Sequence, residues 1–166
     1  PSLKKYISSL KPVDSEARKI AAIIREGVPV IYSTESFSSI AGRWRAQFNE
    51  NAKILAFEGH IPDTNHSDIV GLVEHTGISL KPIILAEYRQ SKLMKEIISA
   101  TTLTLKSSGL KPYIVRVSGK SVFERIFRAM ILGDFISKVV WYHAVPVYLK
   151  KTWETKKVLV IMKAIR

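Results

Sequence analysis

Residues 28–57 read VPVIYSTESFSSIAGRWRAQFNENAKILAF, and the fold turns on how their apolar residues are spaced. Val28 to Tyr32 is a short apolar run, which predicts a buried strand. A polar loop, Ser33-Thr34-Glu35-Ser36, follows it. Ile40, Ala41, Trp44 and Phe48 then stand 3, 4, 7 and 11 residues after Phe37, the spacing of one apolar face on a helix. Lys53 to Phe57 predicts a second strand. Strand, helix and strand in such close order form one βαβ unit, whose two strands run parallel.

The alternation extends in both directions. Upstream, Asp14 is placed to cap a helix that buries Ala17, Ile20, Ala21, Ile23 and Ile24 and stops at Gly27. Downstream come the loop GHIPDTN (59–65), a short helix HSDIVGLVEH (66–75), a strand over 82–86 and a helix from Ser91 to Lys106. A strand over 111–117 precedes a helix from Ser121 to about His143, with Phe123, Ile126, Phe127, Met130 and Ile131 facing inward. Strands alternating with helices imply a parallel sheet covered on both faces. The expected fold is therefore a three-layer α-β-α sandwich with a parallel, flavodoxin-like sheet. The body of the domain is expected over residues 13–148, with a linker or terminal helix over 1–12 and a C-terminal helix over 149–166.

Composition narrows the class. In 166 residues, 46% hydrophobic and 24% charged content is that of a globular protein. No apolar run approaches the roughly 18 to 20 residues of a membrane span, so no membrane partner is expected. The chain opens on Pro1, not Met, without a signal-like apolar segment, which points to a processed product or a piece of a longer protein. The absence of cysteine excludes disulfides and thiolate chemistry and fits a cytoplasmic location. With 26 Lys and Arg against 14 Asp and Glu, the net charge is +12. That balance raises nucleic-acid binding as an option. The lysines are scattered, however, and the densest group lies at Lys150, Lys151, Lys156, Lys157, Lys163 and Arg166. Trp44, Phe48 and Phe57 fall in apolar patterns suited to a core, not to base stacking. A solvated basic surface without nucleic acid is the expectation.

In parallel α/β sheets ligands bind where strands end, which selects loops 33–39, 58–66, 87–91 and 118–121. Gly119-Lys120-Ser121 resembles the end of a phosphate loop. Such a loop needs a glycine five residues before Gly119, where Ile114 stands, so helix capping is the better reading. The hydroxyls of 33–39 could hold a phosphate at a helix start, but Glu35 would repel it and capping again explains them. His60, His66, His75 and His143 have no helical pair spacing, so neither a metal nor another cofactor is expected. Glu50 remains, set between Asn49 and Asn51 at a helix end. A carboxylate there opposes the helix dipole, and the two amides could fix its orientation, although NEN is also ordinary helix-ending composition. His66 follows Pro62-Asp63-Thr64-Asn65 at a helix start, where a histidine is equally unremarkable.

Together, GRWRAQFNENAK (42–53), GHIPDTNHSDIVG (59–71) and LGDFIS (132–137) resemble the carboxyl-terminal half of the bifunctional phosphoglucose/phosphomannose isomerases, of the sugar isomerase (SIS) domain superfamily. The resemblance spans roughly residues 13–157. It implies an archaeal-type aldose–ketose isomerase acting on glucose 6-phosphate and fructose 6-phosphate through a cis-enediol. It implies that Glu50 is the general base and that His66 helps open the sugar ring across a homodimer interface. Lys156, or alternatively Lys157, would share in ring opening, with Arg43, Asn49 and Asn51 binding substrate. The chain departs from the family in two places. Ser67-Asp68 stands where Asn-Glu is usual, and Val145-Pro146-Val147 replaces a DPT-like stretch, on which mannose 6-phosphate acceptance hinges. The amino-terminal SIS domain that supplies most of the phosphate grip has no counterpart here, so half a catalytic site, inactive alone, is expected. A non-catalytic sugar-phosphate-binding regulatory module is the competing reading, favoured by the altered tail and opposed by the intact Glu50 and His66.

Overall fold

The computed structural model describes residues 11–74 and 77–154. Residues 1–10 of the expected linker, His75, Lys156 and Lys157 lie outside the described residues. Helix α1 (Lys11–Ile24) leads into strand β1 (Val28–Ser33), a 3-10 turn (Glu35–Phe37) and helix α2 (Ser38–Glu50). Strand β2 (Phe57–His60), short helices α3 (Thr64–Ser67) and α4 (Ile69–Glu74), and strand β3 (Leu80–Glu87) follow. Helix α5 (Lys92–Ser107), strand β4 (Tyr113–Val117) and helix α6 (Val122–Glu154) complete the order. The strands form one sheet in the order β2-β1-β3-β4, with every adjacent pair parallel.

Strand alternation splits the core into two layers. Ile31, Ile83, Leu85, Val115 and Val117 point to the face covered by α1, α2 and α6, against Ile20, Ile24, Phe48, Leu132 and Ile136. Val30, Tyr32, Ile84 and Ala86 point the other way, towards Ile98 and Leu105 of α5. This is the expected three-layer α-β-α sandwich. The central strands β1 and β3 are the two continuous apolar runs, as strands buried on both faces must be.

Three local expectations are corrected. The second strand does not run over 53–57; it starts at Phe57 and runs through FEGH. The apolar-looking residues before it belong to the end of α2 instead: the Ile54 N–H donates to the Phe48 carbonyl at 3.0 Å, and Ala52 and Ala56 are buried under the helix. As an edge strand paired only with β1, β2 has little need of apolar residues. Second, Phe123 and Phe127 do not face inward; they are 75% and 41% exposed and stack on each other. The buried face of α6 is instead Ala129, Leu132, Ile136 and Val140. Third, α6 is one 33-residue helix that continues past His143 and through residues 148–149.

One contact fixes that orientation of α6. The Trp44 ring of α2 lies so close to Gly133 that a Cβ there would stand 2.3 Å from Nε1. The indole N–H donates to the Ala129 carbonyl at 2.9 Å, which satisfies a polar group that is otherwise fully buried. A glycine inside a helix ordinarily costs about 1 kcal/mol against alanine, so this one is retained for space. Gly133→Ala is therefore expected to destabilise the chain by about 1–3 kcal/mol, the overpacking penalty exceeding the helix-propensity gain. Urea unfolding would show a lower midpoint at unchanged slope; an unchanged or raised midpoint would contradict the packing argument.

Candidate functional site

Two turns of α2 and α6 are stitched together beside that contact. Arg43 pairs with Asp134 at 3.1 Å, and the Gln47 side-chain amide donates to the same carboxylate oxygen. The Ser137 hydroxyl donates to the Gln47 carbonyl at 3.3 Å. Arg43, Trp44 and Gln47 thus meet Ala129, Gly133, Asp134 and Ser137, helix face against helix face. Arg43 and Asp134 are each 45% exposed, so their ion pair alone adds little stability. The hydrogen bonds around it set the register between the helices.

Where the two helices part, a groove opens. Gln47, Glu50, Asn51 and Lys53 line one wall; Asp134, Ser137, Lys138 and Trp141 line the other. Glu50 is the last residue of α2, exposed to this groove. Asn51 stands beside it, its backbone N–H donating to the Gln47 carbonyl at 2.8 Å. Asn49 does something other than orient Glu50. Its amide donates to the Arg45 carbonyl at 2.9 Å and the Ala56 carbonyl at 3.2 Å, tying the helix end to the approach of β2. Sequence reasoning missed Lys53, Asp134, Lys138 and Trp141 as groove residues. Two quoted stretches carried a signal: GRWRAQFNENAK ends on Lys53, and LGDFIS holds Asp134, which meets the RW-x-x-Q helix.

His66 lies elsewhere. It sits exposed on α3, just after β2, where the Asn65 side-chain oxygen accepts from Thr101 Oγ1 at 2.8 Å and ties α3 to α5. Helix α2 runs back along the sheet and delivers Glu50 to the end where β2 begins, whereas α3 follows the end where β2 finishes. The four residues of β2 lie between them, roughly 10 Å of strand at the usual rise. Within one chain the two residues do not meet, and Glu50 is at the opposite end of the sheet from the strand-end loops.

Those loops behave differently from one another. At 118–121 the Glu124 N–H donates to Ser121 Oγ at 3.1 Å while Glu124 Oε2 accepts from the Lys120 N–H at 2.8 Å, a reciprocal helix cap. The GKS stretch is thus a cap, as expected. The 33–39 loop is not: Thr34 and Phe37 occupy the cap positions and neither makes a side-chain cap bond. Ser33 Oγ instead lies 3.3 Å from His60 Nδ1, and the buried Thr34 hydroxyl has no partner. Residues Val145 to Val147 continue the backbone of α6.

Comparison with known proteins locates the chain. The profile described as the bacterial phospho-glucose isomerase C-terminal SIS domain matches residues 13–145. A bifunctional phosphoglucose/phosphomannose isomerase of Thermoplasma volcanium is 31% identical over 80% of this chain and 43% of its own length. Another of that name, from Aquifex aeolicus, is 29% identical over 88% of this chain and 46% of its own. The chain therefore spans less than half the length of these relatives. A Bacteroides fragilis protein described as a phosphosugar isomerase involved in capsule formation superposes with a TM-score of 0.56 at 15% identity, covering 86% of this chain and 92% of that one. At that identity it shows the fold alone.

Near the His66 end, the fully buried Tyr32 hydroxyl has no hydrogen-bond partner, and burial first, then the Asp68 charge, pushes its pKa up. A raised folded-state pKa means that the unfolded chain loses this proton first, from about pH 10. The resulting stability is complete below that pH and is lost as pH rises above it. Tyr32→Phe is expected to leave stability at pH 7 unchanged or higher, because no hydrogen bond is lost. It should also flatten the decline above pH 10, leaving the smaller part due to Tyr113, which is likewise raised by burial and Glu16. Thermal melts across pH 7–11 check this, and an equal alkaline decline in both proteins would refute it.

Proposed function

The chain belongs to the bacterial phospho-glucose isomerase C-terminal SIS domain family, and we propose that it supplies the base-bearing half of a hexose 6-phosphate isomerase site. The observation that carries this reading is Glu50, a carboxylate exposed at a helix end in a polar groove walled by two tightly registered helices. A general base must reach its proton while staying fixed to within a fraction of an ångström. The α2–α6 seam supplies the fixity and the groove supplies the access.

In the proposed reaction Glu50 removes the C2 proton of the open-chain aldose. The C–H electron pair becomes the C1–C2 double bond of a cis-enediol, and the carbonyl oxygen on C1 takes up a proton. Glu50 returns its proton to C1 as the hydroxyl on C2 loses one, which leaves fructose 6-phosphate. Mannose 6-phosphate, the C2 epimer of glucose 6-phosphate, would enter the same enediol, subject to the Val145–Val147 departure. Ring opening falls to His66, whose imidazole carries both a proton-donating and a proton-accepting nitrogen. Since β2 separates His66 from Glu50, the His66 serving one groove would come from a second copy of the chain, and a two-fold axis would then build two equal sites. Lys156, with Lys157 the alternative, would assist. Asn51, on the groove wall, would bind substrate, and Arg43 would do so from its pairing with Asp134. Asn49 retains an acceptor oxygen for the same purpose. The partners are thus a phosphorylated hexose and a second copy, in the cytoplasm, with the phosphate grip coming from outside these residues.

General base catalysis contributes on the order of 10² to 10⁴ in rate. Conversion of fructose 6-phosphate to glucose 6-phosphate by the intact gene product is expected to fall by about that factor in Glu50→Gln, while folding is preserved. A Glu50→Gln protein that keeps the parent rate would sink the assignment. If the intact protein binds hexose phosphates without converting them, the regulatory-module reading, motivated by Val145 and Val147, replaces it.

A further inference from the structure

We propose that Lys53 contacts the substrate in the Glu50 groove, its ammonium stabilising the negative charge that develops on the enediolate oxygen as Glu50 takes the proton. This rests on Glu50 being the base. The starting observation is conformational. Lys53 has φ 59°, and it is the only non-glycine residue among the described ones with a positive φ; the other two such positions are Gly77 and Gly109. A left-handed backbone crowds Cβ against the following carbonyl oxygen, which is why helix ends with this geometry usually carry glycine.

The geometry at this helix end is that of a terminator. The Ala52 N–H donates to the Gln47 carbonyl at 3.1 Å and the Ile54 N–H to the Phe48 carbonyl at 3.0 Å, with Lys53 turning the chain between them. Nothing in the turn uses a lysine side chain, and glycine would make the same bonds at lower cost. What the lysine adds is a cation in the groove three residues from Glu50. The other lysine of the groove, Lys138, has its ammonium 5.9 Å over the Tyr142 ring on the opposite wall. Among the described residues Lys53 forms no ion pair. Strain held at a reactive site, with the stable alternative available and unused, is the pattern of a side chain kept for function.

The charge accounting agrees. As the proton moves from C2 to Glu50, the carboxylate loses its charge, the C–H pair forms the C1–C2 double bond, and the carbonyl π pair passes to the oxygen on C1. Negative charge thus shifts from protein to substrate by a few ångströms. A fixed ammonium on the groove wall interacts more strongly with the enediolate than with the neutral ground-state carbonyl, which lowers the barrier and not merely the binding energy. Lys53 keeps its own proton throughout.

The test compares Lys53→Gly, Lys53→Met, Lys53→Arg and Glu50→Gln in the intact gene product, measuring both melting temperature and fructose 6-phosphate kinetics. Lys53→Gly should melt no lower than the parent, because strain is relieved, yet lose on the order of 10²-fold in kcat with a much smaller change in KM. Lys53→Met should lose the same rate without the gain in stability, and Lys53→Arg should retain most of the rate. A Lys53→Gly protein with parental kcat beside an inactive Glu50→Gln protein overturns this proposal and leaves the base in place. A Lys53→Gly protein that melts lower makes the residue structural and overturns it as well. If Glu50→Gln keeps its rate, the base assignment has failed and the Lys53 proposal falls with it.

Discussion

The indole of Trp44 fills the volume that a side chain at position 133 would occupy, and the rest of the site depends on that close approach. It brings α2 and α6 near enough for Arg43 and Gln47 to share the Asp134 carboxylate and for Ser137 to reach the Gln47 carbonyl. The seam therefore has a buried apolar part, which supplies the attraction, and a hydrogen-bonded rim, which sets the register. The groove holding Glu50 begins where the rim ends. Its position is a consequence of helix packing, and Glu50 stands on a helix rather than in a loop, which favours a precisely held carboxylate.

The direction of α2 decides what Glu50 can work with. A helix joining parallel strands runs antiparallel to them, so its last residue lies where the next strand begins. The strand-end rule for ligand sites consequently points away from Glu50 and towards His66. With the proposed base at one end of β2 and the proposed ring-opening imidazole at the other, the proposed chemistry calls for two copies. The proposed dimer is the arrangement in which both residues serve one substrate.

The layer order, the parallel sheet and most of the buried set were legible because two periodicities dominate: continuous apolar runs for β1 and β3, and a 3-4-7-11 stripe for α2. Three kinds of information were hidden. The edge strand β2, FEGH, carries no apolar signature because it pairs on one side only. The inward face of α6 is hard to read because Phe123 and Phe127 are larger than Ala129 and Gly133, although the missing side chain at 133 is what lets Trp44 approach. The left-handed turn at Lys53 was invisible because the sequence offers no glycine to mark it. Conversely, the RW-x-x-Q and LGD segments, read as functional signatures, are first of all the two halves of one structural seam. Their likeness to the family thus reports the scaffold as much as any chemistry, and Gln47 and Asp134 belong both to the seam and to the groove where Glu50, Asn51 and Lys53 stand.

The proposed chemistry requires a carboxylate in this groove to move a proton between C1 and C2. The most direct measurement is isomerisation of fructose 6-phosphate by the intact gene product in heavy water, with the glucose 6-phosphate analysed for deuterium at C2. Proton transfer through an enediol exposes the abstracted hydrogen to exchange on the base, so deuterium at C2 is the predicted result. Full conversion with no solvent hydrogen at C2 would indicate direct hydride migration between the carbons and contradict the account.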